Sequence, residues 1–142
     1  MRRTKPMGET VARLRFRGTR RAEPVTLELL VDTGSIFSWI DGRVLKALGV
    51  RPARRWQFRT MEGRLVARDV GDAFVENRGD SAPTVVVFAT RTDAHVLGLH
   101  ALESFGLQVD PVSGRLRKAR DILALHGGGR PWRNGSPARV GG

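Results

Sequence analysis

Apolar and polar residues alternate with the two-residue period of a β-strand along much of the chain. Between residues 13 and 17 the arginines alternate with Leu14 and Phe16, which is typical of a strand with one exposed face. Residues 25–31, VTLELLV, are apolar at every second position, and residues 36–40, IFSWI, form a short apolar run. The first part of the chain therefore predicts three strands.

A helix is predicted to follow the third strand. Three apolar residues of 43–50, RVLKALGV, lie on one helical face. Asp41 is a suitable N-cap, and Gly49 is a suitable C-terminal stop. The strand period is therefore interrupted once in this part of the chain.

The second half of the chain predicts two hairpins, a buried strand and a short helix. Residues 54–76 predict a long hairpin with Glu62 and Gly63 at its tip, and residues 77–83, NRGDSAP, predict a turn. The other elements are a β-branched strand at 84–90, a tight turn into a short helix at 94–106, and a last hairpin formed by 107–110 and 115–118. The whole pattern predicts a small, mainly β, barrel-like domain.

The composition is that of one ordinary domain. A chain of 142 residues can form one packed core but is short for two. Cysteine is absent, which excludes disulfides and thiolate metal sites, and no apolar run approaches the ~20 residues of a membrane span. No apolar segment follows the basic N-terminus, so we expect a cytoplasmic protein without a secretory signal. The domain is expected at 7–118, between a flexible basic arm at 1–6 and a disordered Gly/Arg-rich tail at 119–142.

The net charge of +11 comes from the two ends of the chain. Residues 1–21 contain eight basic residues and one acidic residue, and residues 118–142 contain five and one, whereas residues 22–117 contain twelve of each. A basic excess can indicate nucleic-acid binding. Because the excess lies outside the central elements, solvated ends are the simpler interpretation and nucleic acid is not an expected partner. Steep salt dependence of binding would support the alternative.

The stretch LLVDTGS at 29–35 places a carboxylate, Asp32, at the end of an apolar strand. An ionised carboxylate is costly to bury without partners, and Gly34 indicates a sharp turn. The simpler interpretation is a polar turn in which backbone amides bind the Asp32 carboxylate. In the chemical alternative, two carboxylates about 3 Å apart share one proton, so that one activates water while the other protonates a carbonyl oxygen. The sequence has one such loop, so this dyad would require a symmetric dimer.

The other chemistry-bearing residues do not predict a site. His95 and His100 are five residues apart, which is not one helical face, and no acidic residue completes a zinc motif, so no metal is expected. Ser35 lacks suitable His and Asp partners for a nucleophilic role. Trp39 and Trp56 are expected in the core or in the wall of a cleft.

The motifs, in this order and spacing, resemble those of retroviral-type aspartic proteases in their single-domain bacterial form. The similarity spans residues 9–117 and includes LLVDTGS at 29–35, LKALGV at 45–50, RTMEGRL at 59–65 and HVLGLHALESFGLQVD at 95–110. It implies a closed six-stranded β-barrel with a flap hairpin, active as a two-fold homodimer without a cofactor. The implied activity is hydrolysis of peptide bonds in a protein or peptide bound as an extended strand. A non-catalytic peptide-binding module on the same fold is the alternative.

The resemblance also implies roles for individual residues. Asp32 would be the catalytic carboxylate, Thr33 would join a hydrogen-bond network across the dimer, and Gly34 would contact the substrate backbone. Ser35 would donate a hydrogen bond to the outer oxygen of the carboxylate. The remaining implied roles are support of the site by Gly98 and a flap tip formed by Thr60, Met61, Glu62 and Gly63.

Two positions depart from the pattern of the viral members of that family. Viral members have an Asp and an Arg that pair where this chain has Ile36 and Leu99. Because both charges are replaced together, neither is left without its partner. We therefore expect the dimer to be stabilised in a different way.

Overall fold

The structure is a computed structural model that describes residues 9–119. The chain within that range is mainly β, as predicted, with two short helices. The elements are β1 Val11–Arg17, β2 Val25–Val31, β3 Ser38–Asp41, α1 Gly42–Ala47, β4 Arg54–Arg59, β5 Leu65–Asn77, β6 Asp80–Ala89, β7 Val96–Leu97, α2 Leu99–Ser104, β8 Leu107–Val109 and β9 Leu116–Lys118. The predicted arm at 1–6 and the predicted tail, apart from Ala119, lie outside the described residues. Neither α1 nor α2 is long and apolar enough to cross a membrane.

Seven of the strands form one sheet that closes on itself. The order is β1-β2-β7-β3-β6-β5-β4, and β1 also pairs with β5, so six strands form a ring and β4 extends it from β5. Most neighbours are antiparallel, but β2 runs parallel to β7 and β3 runs parallel to β6. The parallel pair places Leu30 and Val31 opposite Val96 and Leu97. The loop after β2 therefore begins beside the segment that leads into α2.

The core lies between the ring and the two helices. In β1 the residues Leu14 and Phe16 are buried while Arg13 and Arg15 are exposed, which confirms the predicted alternation. The largest fully buried side chains come from strands and helices alike: Phe16, Ile40, Leu45, Leu97 and Leu102. These contacts position the end of β2 against β7 and α2.

The first helix begins where the sequence predicts. The Asp41 carboxylate accepts the Arg43 backbone N–H at 2.9 Å and caps α1. The Arg43 side chain donates to the same carboxylate and lowers the pKa of Asp41 to about 2. The helix ends at Ala47, earlier than predicted, and Gly49 follows with a φ of 84° that favours glycine.

The predicted turn at 77–83 is wrong in its extent. The turn consists of Arg78 and Gly79, with φ angles of 50° and 84°, and residues 80–83 already belong to β6. Two-residue hairpin loops of this kind have positive φ at both central positions. Because the loop is so tight, β5 and β6 pair up to Asn77 and Asp80, and Pro83 pairs with Phe74 inside the ladder.

The third strand begins at Ser38, not at Ile36 as predicted. The Ile36 carbonyl accepts the His100 N–H at 2.9 Å, and the Ser35 carbonyl accepts the Leu99 N–H at 2.8 Å. These carbonyls therefore connect the loop to the start of α2. The last predicted hairpin is confirmed as the two-stranded sheet of β8 and β9.

Candidate functional site

The Asp32 carboxylate lies on an exposed turn at the end of β2. Its Oδ1 accepts the Gly34 N–H at 3.0 Å, and its backbone carbonyl accepts the Ser35 N–H at 3.1 Å. Among the described residues, Oδ2 has no hydrogen-bond partner. A backbone amide of the turn thus binds Oδ1, as the simpler interpretation predicts. Oδ2 remains free to interact with solvent.

Backbone hydrogen bonds fix this turn to the segment between β7 and α2. The Asp32 N–H donates to the Leu97 carbonyl at 3.0 Å, and the Leu99 N–H donates back to the Ser35 carbonyl at 2.8 Å. The Gly98 N–H donates to the buried Ser38 hydroxyl at 3.0 Å. The loop that carries the Asp32 carboxylate is therefore held in place by hydrogen bonds.

Gly98 lies directly against the loop, where sequence reasoning expected a supporting residue. A Cβ at this position would overlap the carbonyl carbon and oxygen of Phe37, and it would lie 2.9 Å from the Ile36 carbonyl oxygen. Only glycine allows the two segments to approach this closely. Ser38, whose hydroxyl binds the Gly98 amide, was not predicted; its signal is a small polar residue between two aromatic ones.

The predicted hydrogen bond of Ser35 is wrong in this chain. Its hydroxyl donates to the Phe37 carbonyl at 2.7 Å and not to the Asp32 carboxylate. Serine hydroxyls readily bind nearby backbone groups, and the chain here brings the carbonyl two residues ahead within reach. The Ser35 side chain therefore shapes the loop.

The surface beside the carboxylate is partly apolar. Thr33 and Gly34 are exposed, Ile36 is 64% exposed, and Leu99 is half-buried. Ile36 is one of five exposed large hydrophobic residues among those described, and single residues of this kind are common on protein surfaces.

The four residues predicted at a flap tip do lie at the turn between β4 and β5. The Thr60 N–H donates to the Arg64 carbonyl at 2.8 Å, and the Gly63 N–H donates to the Thr60 carbonyl at 2.9 Å. Gly63 has a φ of 84°, and Met61 and Glu62 are exposed. Within residues 9–119, no hydrogen bond or ion pair joins this turn to the Asp32 loop.

Aromatic rings connect the hairpin to the strand that follows the loop. The ring centroids of Phe37 and Trp56 are 5.4 Å apart, and those of Trp39 and Phe58 are 5.0 Å apart. We call these four half-buried residues the aromatic cluster. Sequence reasoning expected the two tryptophans in the core or a cleft wall but did not single out Phe37. The signal was the matched spacing of aromatic residues at 37 and 39 and at 56 and 58.

His95 has a local hydrogen-bond partner, whereas the buried Nδ1 of His100 has none among the described residues. His95 Nε2 lies 2.9 Å from the Thr90 carbonyl oxygen, and the His100 ring packs 6.1 Å from that of Phe37, between centroids. In the described part of the chain, no group of three or more His, Asp or Glu residues could bind a metal.

The exposed Asp32 carboxylate can accept a proton or a hydrogen bond, but this loop contains no second acid beside it. Comparison with models of known protein families found no match, and comparison with curated protein sequences found no similar protein.

Proposed function

We propose that the chain is an aspartic endopeptidase of the retroviral type that acts as a homodimer, with one Asp32 from each protomer. The observation that carries the proposal is the Asp32 turn. Backbone hydrogen bonds hold this turn against the segment between β7 and α2, and the carboxylate is nevertheless exposed.

In this mechanism the two Asp32 carboxylates share one proton because like charges at close range cannot both ionise. The ionised member takes a proton from water as the water oxygen attacks the peptide carbonyl carbon. The protonated member donates its proton to the carbonyl oxygen, which gives a neutral tetrahedral intermediate. The carboxyl that received the proton from water then donates it to the amide nitrogen, while the ionised carboxylate takes a proton from a hydroxyl of the intermediate. The C–N bond breaks, and the dyad again holds one proton.

The proposed substrate lies as an extended strand between the Asp32 turn and the β4–β5 hairpin. Gly34 would allow the backbone of the substrate to approach, and Thr33 would join the hydrogen-bond network between protomers. The hairpin would act as the flap of a barrel of the acid-protease type, with Thr60 to Gly63 at its tip. Main-chain hydrogen bonds would give affinity in the manner of an added β-strand.

The test is cleavage of a diverse peptide mixture, read by mass spectrometry, by the wild type and by Asp32→Asn. Asp80→Asn, which removes another exposed carboxylate, is the matched control. We expect the wild type and the control to cleave and Asp32→Asn to lose at least about 100-fold in rate, because the dyad loses its acid–base function. Full cleavage by Asp32→Asn would overturn the proposal.

The same mixture tests the dependence of the rate on pH. A dyad that shares one proton favours acidic to mildly acidic conditions, so a flat rate between about pH 4 and 8 would contradict the mechanism. Peptide binding without cleavage over that range would favour the non-catalytic module.

A further inference from the structure

Two adjoining cavities form a groove between the β8–β9 hairpin and the body of the fold. Their volumes are about 430 Å³ and 320 Å³, and Asn77 and Leu116 line both of them. Five cationic residues line this basic groove: Arg13, Arg78, Arg115, Arg117 and Lys118. Of the described residues that line it, none belongs to the Asp32 turn.

The groove and the segments that flank it contain most of the net charge of the chain. Glu9 and Asp80 are the acidic residues in the lining, and Arg117 also contacts Asp110 at 3.4 Å. Residues 1–8 add three basic residues, and residues 120–142 add four basic residues and one acidic residue. The groove lining and these two segments together contain twelve basic and three acidic residues. Their net charge of +9 accounts for most of the +11 of the whole chain.

The folded part of the chain thus adds its own cations at the places where the basic ends attach. Glu9 lies in one cavity and Lys118 in the other, and both adjoin the basic ends in sequence. The sequence alone located the excess of basic residues at the two ends of the chain. In the structure, the described residues next to both ends, Glu9 and Lys118, line the same basic groove.

Arg78 occupies an unfavourable backbone position in this groove. Its φ is 50° in a two-residue turn where Asn or Gly would be accommodated more easily. Residues in sparsely populated backbone regions are frequent at binding sites. An arginine at this position is consistent with a role for its charge.

We infer that the basic groove binds the phosphate backbone of single-stranded nucleic acid. Protein partners are usually anchored by an accessible aromatic or apolar pocket. The apolar residues in this lining, such as Phe105, Leu107 and Leu116, are buried or half-buried, whereas its five cationic residues are exposed. The groove instead offers guanidinium groups, an ammonium and the Asn77 amide, which are the usual donors to phosphate oxygens. The sequence GGGRPWRNG at 127–135 combines Gly, Arg and Trp, a composition suited to stacking and charge contacts with single strands.

The test is fluorescence anisotropy of labelled oligothymidylate with the full chain at increasing salt concentration. The double variant Arg13→Gln/Arg115→Gln removes two charges from the groove, and Arg55→Gln/Arg91→Gln removes two exposed charges elsewhere. We expect the groove variant to weaken binding about tenfold and to lower the slope of log K against log salt by roughly 1.4, since each single-strand phosphate contact contributes about 0.7. The control should change neither quantity by a comparable amount, and far-UV circular dichroism should be unchanged in both.

Three results would overturn the inference. One is the absence of salt-dependent binding by the wild type, and another is an equal effect of the groove and control variants. The third is displacement of the oligonucleotide by polyglutamate at equal charge concentration, which would indicate an acidic protein as the partner. The inference does not depend on the proposed peptidase activity, so Asp32→Asn should bind the oligonucleotide like the wild type.

Discussion

At the scale of single residues, Gly98 sets the distance between the Asp32 loop and the start of α2. Its missing side chain leaves room for the Phe37 carbonyl, and its amide binds the buried Ser38 hydroxyl. A residue with a side chain would have to separate two segments that three backbone hydrogen bonds join.

Gly98→Ala should therefore destabilise the fold by about 1–3 kcal/mol, the usual cost of overpacking a close contact. The control is Gly42→Ala, because a Cβ there would meet its nearest neighbour at 3.5 Å and the position lies in α1. Alanine should be neutral or stabilising by roughly 0.5–1 kcal/mol at that position. Urea unfolding of both variants measures the difference. Equal effects would show that the loop can separate from α2 without cost.

At the scale of elements, the β4–β5 hairpin is fixed to the body of the fold at its base. Arg68 on β5 makes two hydrogen bonds to Asp93, of 2.8 Å and 2.9 Å, in the segment between β6 and β7. The two side chains are only 19% and 16% exposed, whereas those of Arg55 and Asp69, paired within the hairpin, are 64% and 40% exposed. The aromatic cluster adds apolar contacts beside this ion pair.

Arg68→Gln should lower the free energy of unfolding by about 1.5–3 kcal/mol, because a bidentate and largely buried charged pair loses one partner. Arg55→Gln, which removes the exposed pair, should cost less than about 1 kcal/mol. Chemical denaturation of the two variants under the same conditions provides the comparison. A larger effect of Arg55→Gln would show that the hairpin is not anchored through Arg68.

The same ion pair should contribute to the acid sensitivity of the fold. The hydrogen bonds from Arg68 lower the pKa of Asp93 from 3.8 to about 2. A depressed folded-state pKa stabilises the protein above the unfolded value, and this contribution disappears as the pH falls from 3.8 toward 2. The stability difference between the wild type and Asp93→Asn, measured by urea unfolding, should therefore shrink by up to about 2 kcal/mol over that interval. In the Arg68→Gln background the dependence on pH should be much weaker, and an unchanged dependence would point to another partner for Asp93.

Elements with strong local patterns were predictable from the sequence. The alternation in β1, the Asp41 cap and the Glu62–Gly63 turn follow from side-chain period and turn chemistry. In β2 the period held only in part, since Leu29 is buried but Val25 is exposed. The turn at 77–83 was overestimated because Asp, Ser and Pro favour turns locally, whereas pairing of β6 with β5 outweighs that preference. The Ser35 hydrogen bond was missed for a similar reason, since a nearby backbone carbonyl competes with the carboxylate.

At the scale of the whole molecule, the closure of the ring depends on contacts between distant residues that no local pattern encodes. Pairing of β1 with β5 joins Phe16 to Val75, and pairing of β2 with β7 brings Leu97 to Asp32. The sequence indicated which residue types the candidate site contains. Their arrangement, and the convergence of the basic residues on one groove, emerged only from the three-dimensional pairing of strands.

The exposed apolar residue beside Asp32 leads to a prediction for assembly, which rests on the proposed function. If the two Asp32 turns meet at a two-fold axis, Ile36 lies near that axis, and an introduced charge there would be buried next to its own copy. Ile36→Lys should therefore weaken dimerisation at least about tenfold, measured by sedimentation velocity over a range of concentrations. Val25→Lys is the matched control, because Val25 is 43% exposed at the opposite end of β2. A wild type that remains monomeric at all concentrations would contradict a site built from two copies of Asp32.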